Sequence, residues 1–244
     1  MRPLRPALLA AAATLALAGT ALSGQAASAA DLEVIEAPAV DSERFYLTSR
    51  AGIADVRDTS FLVGALNIER VKNEYGDLTP FTSVAAGTTL GSFRAELELS
   101  NIMQGVDRHI AISPAGIATP FSSGETLGVL AATAVTANLY YEMDMDLFRP
   151  FVGAGLGVGR VQAHEYGVTP LRGVLPGGIA LDDTAYGVAY QLTAGIAFDV
   201  AQNFTVELGY RFQGIHQDLF SVTNAKSHFD IRSHTGFAGV RAYF

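Results

Sequence analysis

Between Phe204 and Phe212 every even-numbered residue is apolar (Phe204, Val206, Leu208, Tyr210, Phe212) and every odd-numbered one is small or polar. A side-chain period of two belongs to a β-strand, whose successive residues face opposite ways. The pattern recurs at Phe93–Leu99, where Phe93, Ala95, Leu97 and Leu99 alternate with Arg94, Glu96 and Glu98. Thr184–Asp199 repeats it with Tyr186, Val188, Tyr190, Leu192, Ala194, Ile196 and Phe198 on one face. In 148–159 the apolar Val152, Ala154, Leu156 and Val158 alternate with Gly153, Gly155, Gly157 and Gly159. A helix would need apolar residues at three- and four-residue spacings and would lose ~1 kcal/mol at each glycine. The chain is therefore read as all-β.

Strands are expected at about 43–54, 80–90, 93–101, 125–142, 148–161, 184–199, 204–215 and 228–244. The connections alternate in length. Leu90–Phe93, Met143–Leu147 and Asp199–Asn203 are tight turns, whereas 55–79, 102–124, 162–183 and 216–227 are long and rich in Gly, Pro, Asp and Ser. Short turns at one end and long loops at the other describe a membrane β-barrel. The longest uncharged stretches, Thr126–Tyr141 and Thr184–Phe198, are too short and too polar for a spanning helix of ~20 residues. A soluble β-sandwich also alternates, but it would not explain the loop asymmetry or apolar faces of ~10 residues, the length a tilted strand needs to cross a bilayer. The fold expected is an eight-stranded antiparallel up-and-down transmembrane β-barrel, with both termini at the short-turn end.

The N-terminus agrees with export. Arg2 and Arg5 precede an uncharged run from Ala7 to Ala18, and Ala27-Ser28-Ala29 forms a small-residue cleavage pattern before Asp31. These are the parts of a secretory signal. The domain reading is a signal peptide at 1–29, a periplasmic lead-in at 30–42 and the barrel at 43–244. Loss of Arg2 and Arg5 leaves 14 basic against 24 acidic side chains, a balance that excludes nucleic acid as a partner. Cysteine is absent from the sequence, which removes disulfide frameworks and thiolate sites from consideration.

The chain ends Phe237-Ala238-Gly239-Val240-Arg241-Ala242-Tyr243-Phe244. This terminal aromatic, with small or apolar residues at alternate positions before it, resembles the C-terminal signal read by the outer-membrane assembly machinery. The stretch from Arg149 to Gly157 (Arg-Pro-Phe-Val-Gly-Ala-Gly-Leu-Gly) and the triplet Gly209-Tyr210-Arg211 resemble motifs of the small OmpA-like, opacity-protein-like barrels, which include outer-membrane proteins of alphaproteobacteria. The opening Glu43-Arg44-Phe45-Tyr46-Leu47 departs from that family's Trp-containing first strand. The resemblance implies an outer-membrane location and an abundant surface antigen, adhesin or envelope-stabilising component. Its implied partners are outer-membrane lipids, the assembly machinery through Phe244, and an extracellular ligand or host surface through the loops. No peptidoglycan-binding domain is expected to follow.

With the apolar face on lipid, the other face lines an interior just wide enough for side chains to fill. By register it holds Arg50, Arg94, Glu96, Glu98, Glu142, Glu207, Arg211 and Arg241, four of each sign. Buried charges require partners, so this set is expected to form a salt-bridge network in the lumen. Glu207 and Arg211 are ~13 Å apart along one strand face, which favours pairing across strands. Gly153, Gly155, Gly157 and Gly159 share an interior stripe, which either leaves room for larger neighbours or water, or relieves crowding where the sheet curves. Tyr140, Tyr141, Phe148, Phe198, Phe204, Tyr210, Tyr243 and Phe244 suit an aromatic girdle at the short-turn end, although alternation turns Tyr140 and Tyr243 inward.

The function expected is a non-enzymatic, surface-exposed barrel. A small or gated pore is the alternative, and a lipid-modifying enzyme ranks third. Ser233-His234 and Ser227-His228, with Asp230 nearby, are the candidates for nucleophile and base, but adjacent strand residues point to opposite faces. No cofactor or metal motif is present: His109, His164, His216, His228 and His234 lack a ligand spacing.

Overall fold

A computed structural model describes residues 43–65, 68–75, 78–122, 126–168, 179–218 and 228–244; the leader and lead-in expected at 1–42 lie outside the described residues. The described elements are all strands: β1 (Phe45–Val56), β2 (Thr59–Ala65), β3 (Ile68–Glu74), β4 (Thr79–Leu90), β5 (Phe93–Gly105), β6 (Arg108–Ile112), β7 (Ala118–Ser122), β8 (Thr126–Glu142), β9 (Arg149–Val168), β10 (Ile179–Ala201), β11 (Phe204–Asp218) and β12 (His228–Tyr243). Eight of them close into an antiparallel barrel in the order β1-β12-β11-β10-β9-β8-β5-β4, with β4 pairing back onto β1. Closure leaves the barrel no unpaired edge, the condition for strands to cross a bilayer.

Its stagger can be read from the register. Pairing followed from Arg50 through Gly239, Glu207 and Ala197 arrives at Arg149. Followed the other way, through Ser83, Ser100 and Ala134, it arrives at Gly159, ten residues further along the same strand. Such a shear tilts the strands by roughly 35–45°. The tight β4–β5 turn places Gly91 at a φ of 62°, the left-handed conformation a two-residue hairpin demands.

Alternation sorts the side chains into two environments. Leu47, Leu97, Leu139, Leu156, Leu192 and Leu208 stand on the outer wall, with Leu97 61% and Leu156 68% exposed. So much exposed aliphatic surface is a liability in water and a requirement in lipid. At the short-turn end, Phe45, Phe93, Tyr141, Phe148 and Phe244 face outward as an interfacial girdle, with Phe93 and Tyr141 rings 5.2 Å apart. Tyr140 faces inward, and Tyr210, seventh in β11, lies well away from that girdle.

The long connections carry more structure than their composition suggests. Within 55–79 and 102–124, β2, β3, β6 and β7 pair as a separate four-stranded sheet, order β2-β3-β6-β7. Pairing two loops with each other satisfies backbone groups that single loops would leave to water. Within 162–183, β9 extends to Val168 and β10 begins at Ile179, so the hairpin runs on beyond the strand ends read from the apolar pattern. Outside the bilayer a strand needs no lipid-facing alternation, which is why that pattern stops short.

Candidate functional site: the barrel lumen

The eight charged residues assigned inward by parity all lie in the lumen, and they meet there. Glu142 ends β8, Arg94 is the second residue of β5, Glu207 the fourth of β11, and Arg241 the third from the end of β12. The network therefore lies toward the short-turn end. Glu207 is its hub, contacting Arg241, Arg50 at 3.0 Å and Arg94 at 3.4 Å. Glu96 joins Arg94 and takes Arg50 Nη2 at 2.9 Å. Glu142 accepts from Arg94 at 2.6 Å and from Arg241 at 2.7 Å. Arg211 reaches Glu98 at 2.7 Å, and Arg50 approaches the same carboxylate at 3.7 Å. Glu207 and Arg211 thus engage other strands rather than each other.

Neutral side chains finish the layer. Gln191 donates to Glu98 at 3.0 Å and to Asn138 at 2.7 Å, while Asn138 donates to Glu98 at 3.0 Å. Tyr46 donates its hydroxyl to Glu96 at 3.0 Å. The Arg94 guanidinium lies 3.9 Å from the Tyr140 ring centroid and that of Arg211 lies 4.9 Å from the Phe81 centroid, so these cations have an aromatic face as well as carboxylates. Four strongly hydrated charges of each sign are held dry by mutual pairing, and removing one partner leaves its neighbour buried and uncompensated.

The glycine stripe on β9 is filled by its neighbours. A Cβ on Gly153 would strike the Tyr140 ring at 2.2 Å, one on Gly155 the Asn138 amide oxygen at 1.8 Å, and one on Gly159 the Ile215 side chain at 2.7 Å. These positions make room for large lumen residues from facing strands.

Above the ionic layer stands a second one. Val56, Ile102, Leu130, Val161, Ile215 and Ile231 point inward and are buried. A void of about 10 Å³ lies among Ile102, Ala132, Ile215 and Ile231, with Gln213 and Ser233 on its wall; this is at most the space of one water. This layer carries no charge, so the alternation of charged and apolar residues does not mark it. Its signal is the stretch from Val129 to Val135, where Val129 and Val135 meet lipid while Leu130, Ala132 and Ala134 meet the aliphatic interior.

The serine-histidine candidates separate across the wall. Ser233 is buried inside, whereas His234 faces out toward Arg57 and Tyr210. Ser227 lies outside the described residues. His216 holds Asp230, with Nδ1 to Oδ1 2.6 Å, and stands opposite Val188 and Asp230 in the register. Among the described residues no cluster of three or more His, Cys, Asp or Glu is placed to hold a metal ion. Phe244, 76% exposed, is tied to the first strand by its N–H, which donates to Phe45 O at 3.1 Å.

No protein-family model and no curated protein matches the sequence. Among solved structures, Neisserial surface protein A is similar over 84% of this chain and 100% of its own, at 17% identity and a TM-score of 0.51. The outer membrane protein OprG from Pseudomonas aeruginosa is similar over 82% of this chain and 95% of its own, at 14% identity and a TM-score of 0.44. The outer membrane protease OmpT from Escherichia coli is similar over 82% of this chain and 97% of its own, at 9% identity and a TM-score of 0.48. At such identities the likeness to Neisserial surface protein A is one of fold. The chain has the fold of a small outer-membrane β-barrel, and its aliphatic belt places the wall in that membrane.

Proposed function

We propose that this protein is a non-conducting, non-enzymatic barrel that stabilises the outer membrane and presents its long connections at the cell surface, where they meet an extracellular ligand or host surface. The observation that carries the reading is the double filling of the lumen, salt-bridged below and aliphatic above. Ions do not readily cross a layer of packed aliphatic side chains, and a paired ionic layer offers them no free counter-charge.

Export through the leader at 1–29, retention of 30–42 on the periplasmic side, and recognition of Phe244 by the assembly machinery complete the proposal. The test is planar-bilayer recording of the folded protein, with heat-modifiable gel migration as the folding control. Folded, silent protein is expected. Discrete ion-selective openings in the unmodified protein would replace this reading with that of a small pore.

A further inference from the structure

The outer wall of β11, β12 and β1 changes character near the long-connection end. From Phe45 to Ile53 on β1, from Phe204 to Phe212 on β11 and from Gly236 to Phe244 on β12, the outward positions are uncharged. Just above them Asp55, Arg57, His216, Asp230 and Arg232 all face out. Arg57 and Arg232 are neighbours, joined by a main-chain hydrogen bond from Arg57 N to Arg232 O of 2.9 Å.

Their side chains are held differently. Arg57 Nε donates to His234 Nε2 at 2.9 Å. The other ring nitrogen of His234, Nδ1, meets the Tyr210 hydroxyl. Among the described residues no carboxylate lies within ion-pair distance of Arg57, so its charge is not neutralised by Asp55, opposite His234 in the register. Arg232 keeps one nitrogen 3.2 Å from Asp230, which is shared with His216, and its side chain is 47% exposed. Arg57 and Arg232 thus bring two guanidiniums, the group suited to bidentate phosphate recognition, to hydrogen-bonded neighbouring positions at the upper border of a lipid-facing wall.

Below them the wall is shaped for hydrocarbon. Phe212 stacks near His234 with ring centroids 5.2 Å apart, and Tyr210 lies 6.0 Å from the same imidazole. The next outward positions down β12 are Gly236 and Ala238, flanked across the register by Ile53 and Tyr210 and by Ala51 and Leu208. A Cβ on Gly236 would meet no atom within 4 Å, so no side chain covers this glycine, and with Ala238 below it the wall beneath the cations carries little side-chain bulk.

We propose that this face binds one phosphate-bearing lipid of the leaflet at the long-connection end, its phosphate on Arg57 and Arg232 and an acyl chain over Gly236 and Ala238. The inference rests on the membrane-barrel reading above. A membrane-extracted protein with heat-modifiable migration meets that premise before any lipid is added, so the two ideas fail separately.

The test is native mass spectrometry of the full chain, purified folded from membranes in detergent and titrated with dioleoylphosphatidic acid, dioleoylglycerol or inorganic phosphate. Unmodified protein should retain phosphatidic acid in preference to dioleoylglycerol. The double substitution Arg57→Gln with Arg232→Gln should weaken retention about tenfold or more, the loss expected for charge-assisted hydrogen bonds. Gly236→Leu, which projects into open space and leaves the fold intact, should weaken it several-fold by occupying the uncovered surface between Ile53 and Tyr210. Equal retention of phosphatidic acid and dioleoylglycerol, or unchanged retention in both variants, would overturn the proposal. Displacement of phosphatidic acid by inorganic phosphate, together with normal binding by Gly236→Leu, would assign the site to a free anion and also defeat it.

Discussion

Glu207 shows what one side chain contributes when charge is buried on a strand. It meets Arg50, Arg94 and Arg241 from two other barrel walls and the adjoining strand, and none of the four has appreciable access to solvent. Glu207→Ala leaves three guanidiniums competing for Glu96 and Glu142, and a broken buried pair of this kind costs about 3–5 kcal/mol. Glu207→Gln keeps the shape and one acceptor and should lose less. Urea unfolding in detergent micelles, followed by gel migration, should rank the midpoints as native, Gln, Ala; an Ala midpoint equal to the native one would show that the network adds nothing to stability. The inward direction of these charges was legible from parity alone, since Arg94, Glu96 and Glu98 alternate with Ala95, Leu97 and Leu99. Their partners were not legible, because pairing depends on shear, and shear is set by how the sheet closes rather than by any one strand.

At the scale of elements, the strands that face lipid were readable because lipid demands an unbroken apolar face, and Phe93–Leu99 of β5, Tyr186–Phe198 of β10 and Phe204–Phe212 of β11 display one. The strands above the membrane answer to no such demand. β2, β3, β6 and β7 gain their order from pairing two connections far apart in sequence, a contact without local signature. One edge of that sheet, β7, carries Pro120, which supplies no N–H and discourages a further strand from adding there. Because β6 pairs with β3 and neither is a barrel strand, excision of residues 107–122 with a short Gly-Ser bridge should preserve heat-modifiable migration. The β2–β3 hairpin, deprived of its neighbour, should become the first site of cleavage in limited proteolysis. Loss of the migration shift would show instead that barrel closure depends on the outer sheet.

The molecule as a whole is a tube stopped twice, and the two stoppers differ in kind. The ionic layer was anticipated by charge, while the aliphatic layer was hidden in β8, where an apolar residue of either parity looks the same in the sequence. Their independence has a consequence for conductance. An opening through the ionic layer still ends against Leu130, Val161, Ile215 and Ile231, and a ring of aliphatic side chains this close excludes ions by keeping water out. Glu207→Ala with Arg241→Ala should therefore lower stability yet stay silent in a planar bilayer. Leu130→Ala with Ile215→Ala should also stay silent, because the salt-bridged layer beneath remains paired. Conductance is expected only when both layers are opened in one folded protein, with all four substitutions combined. If the ionic-layer variant alone conducts, the aliphatic layer is not a barrier, and the closed-barrel account of this protein fails with it.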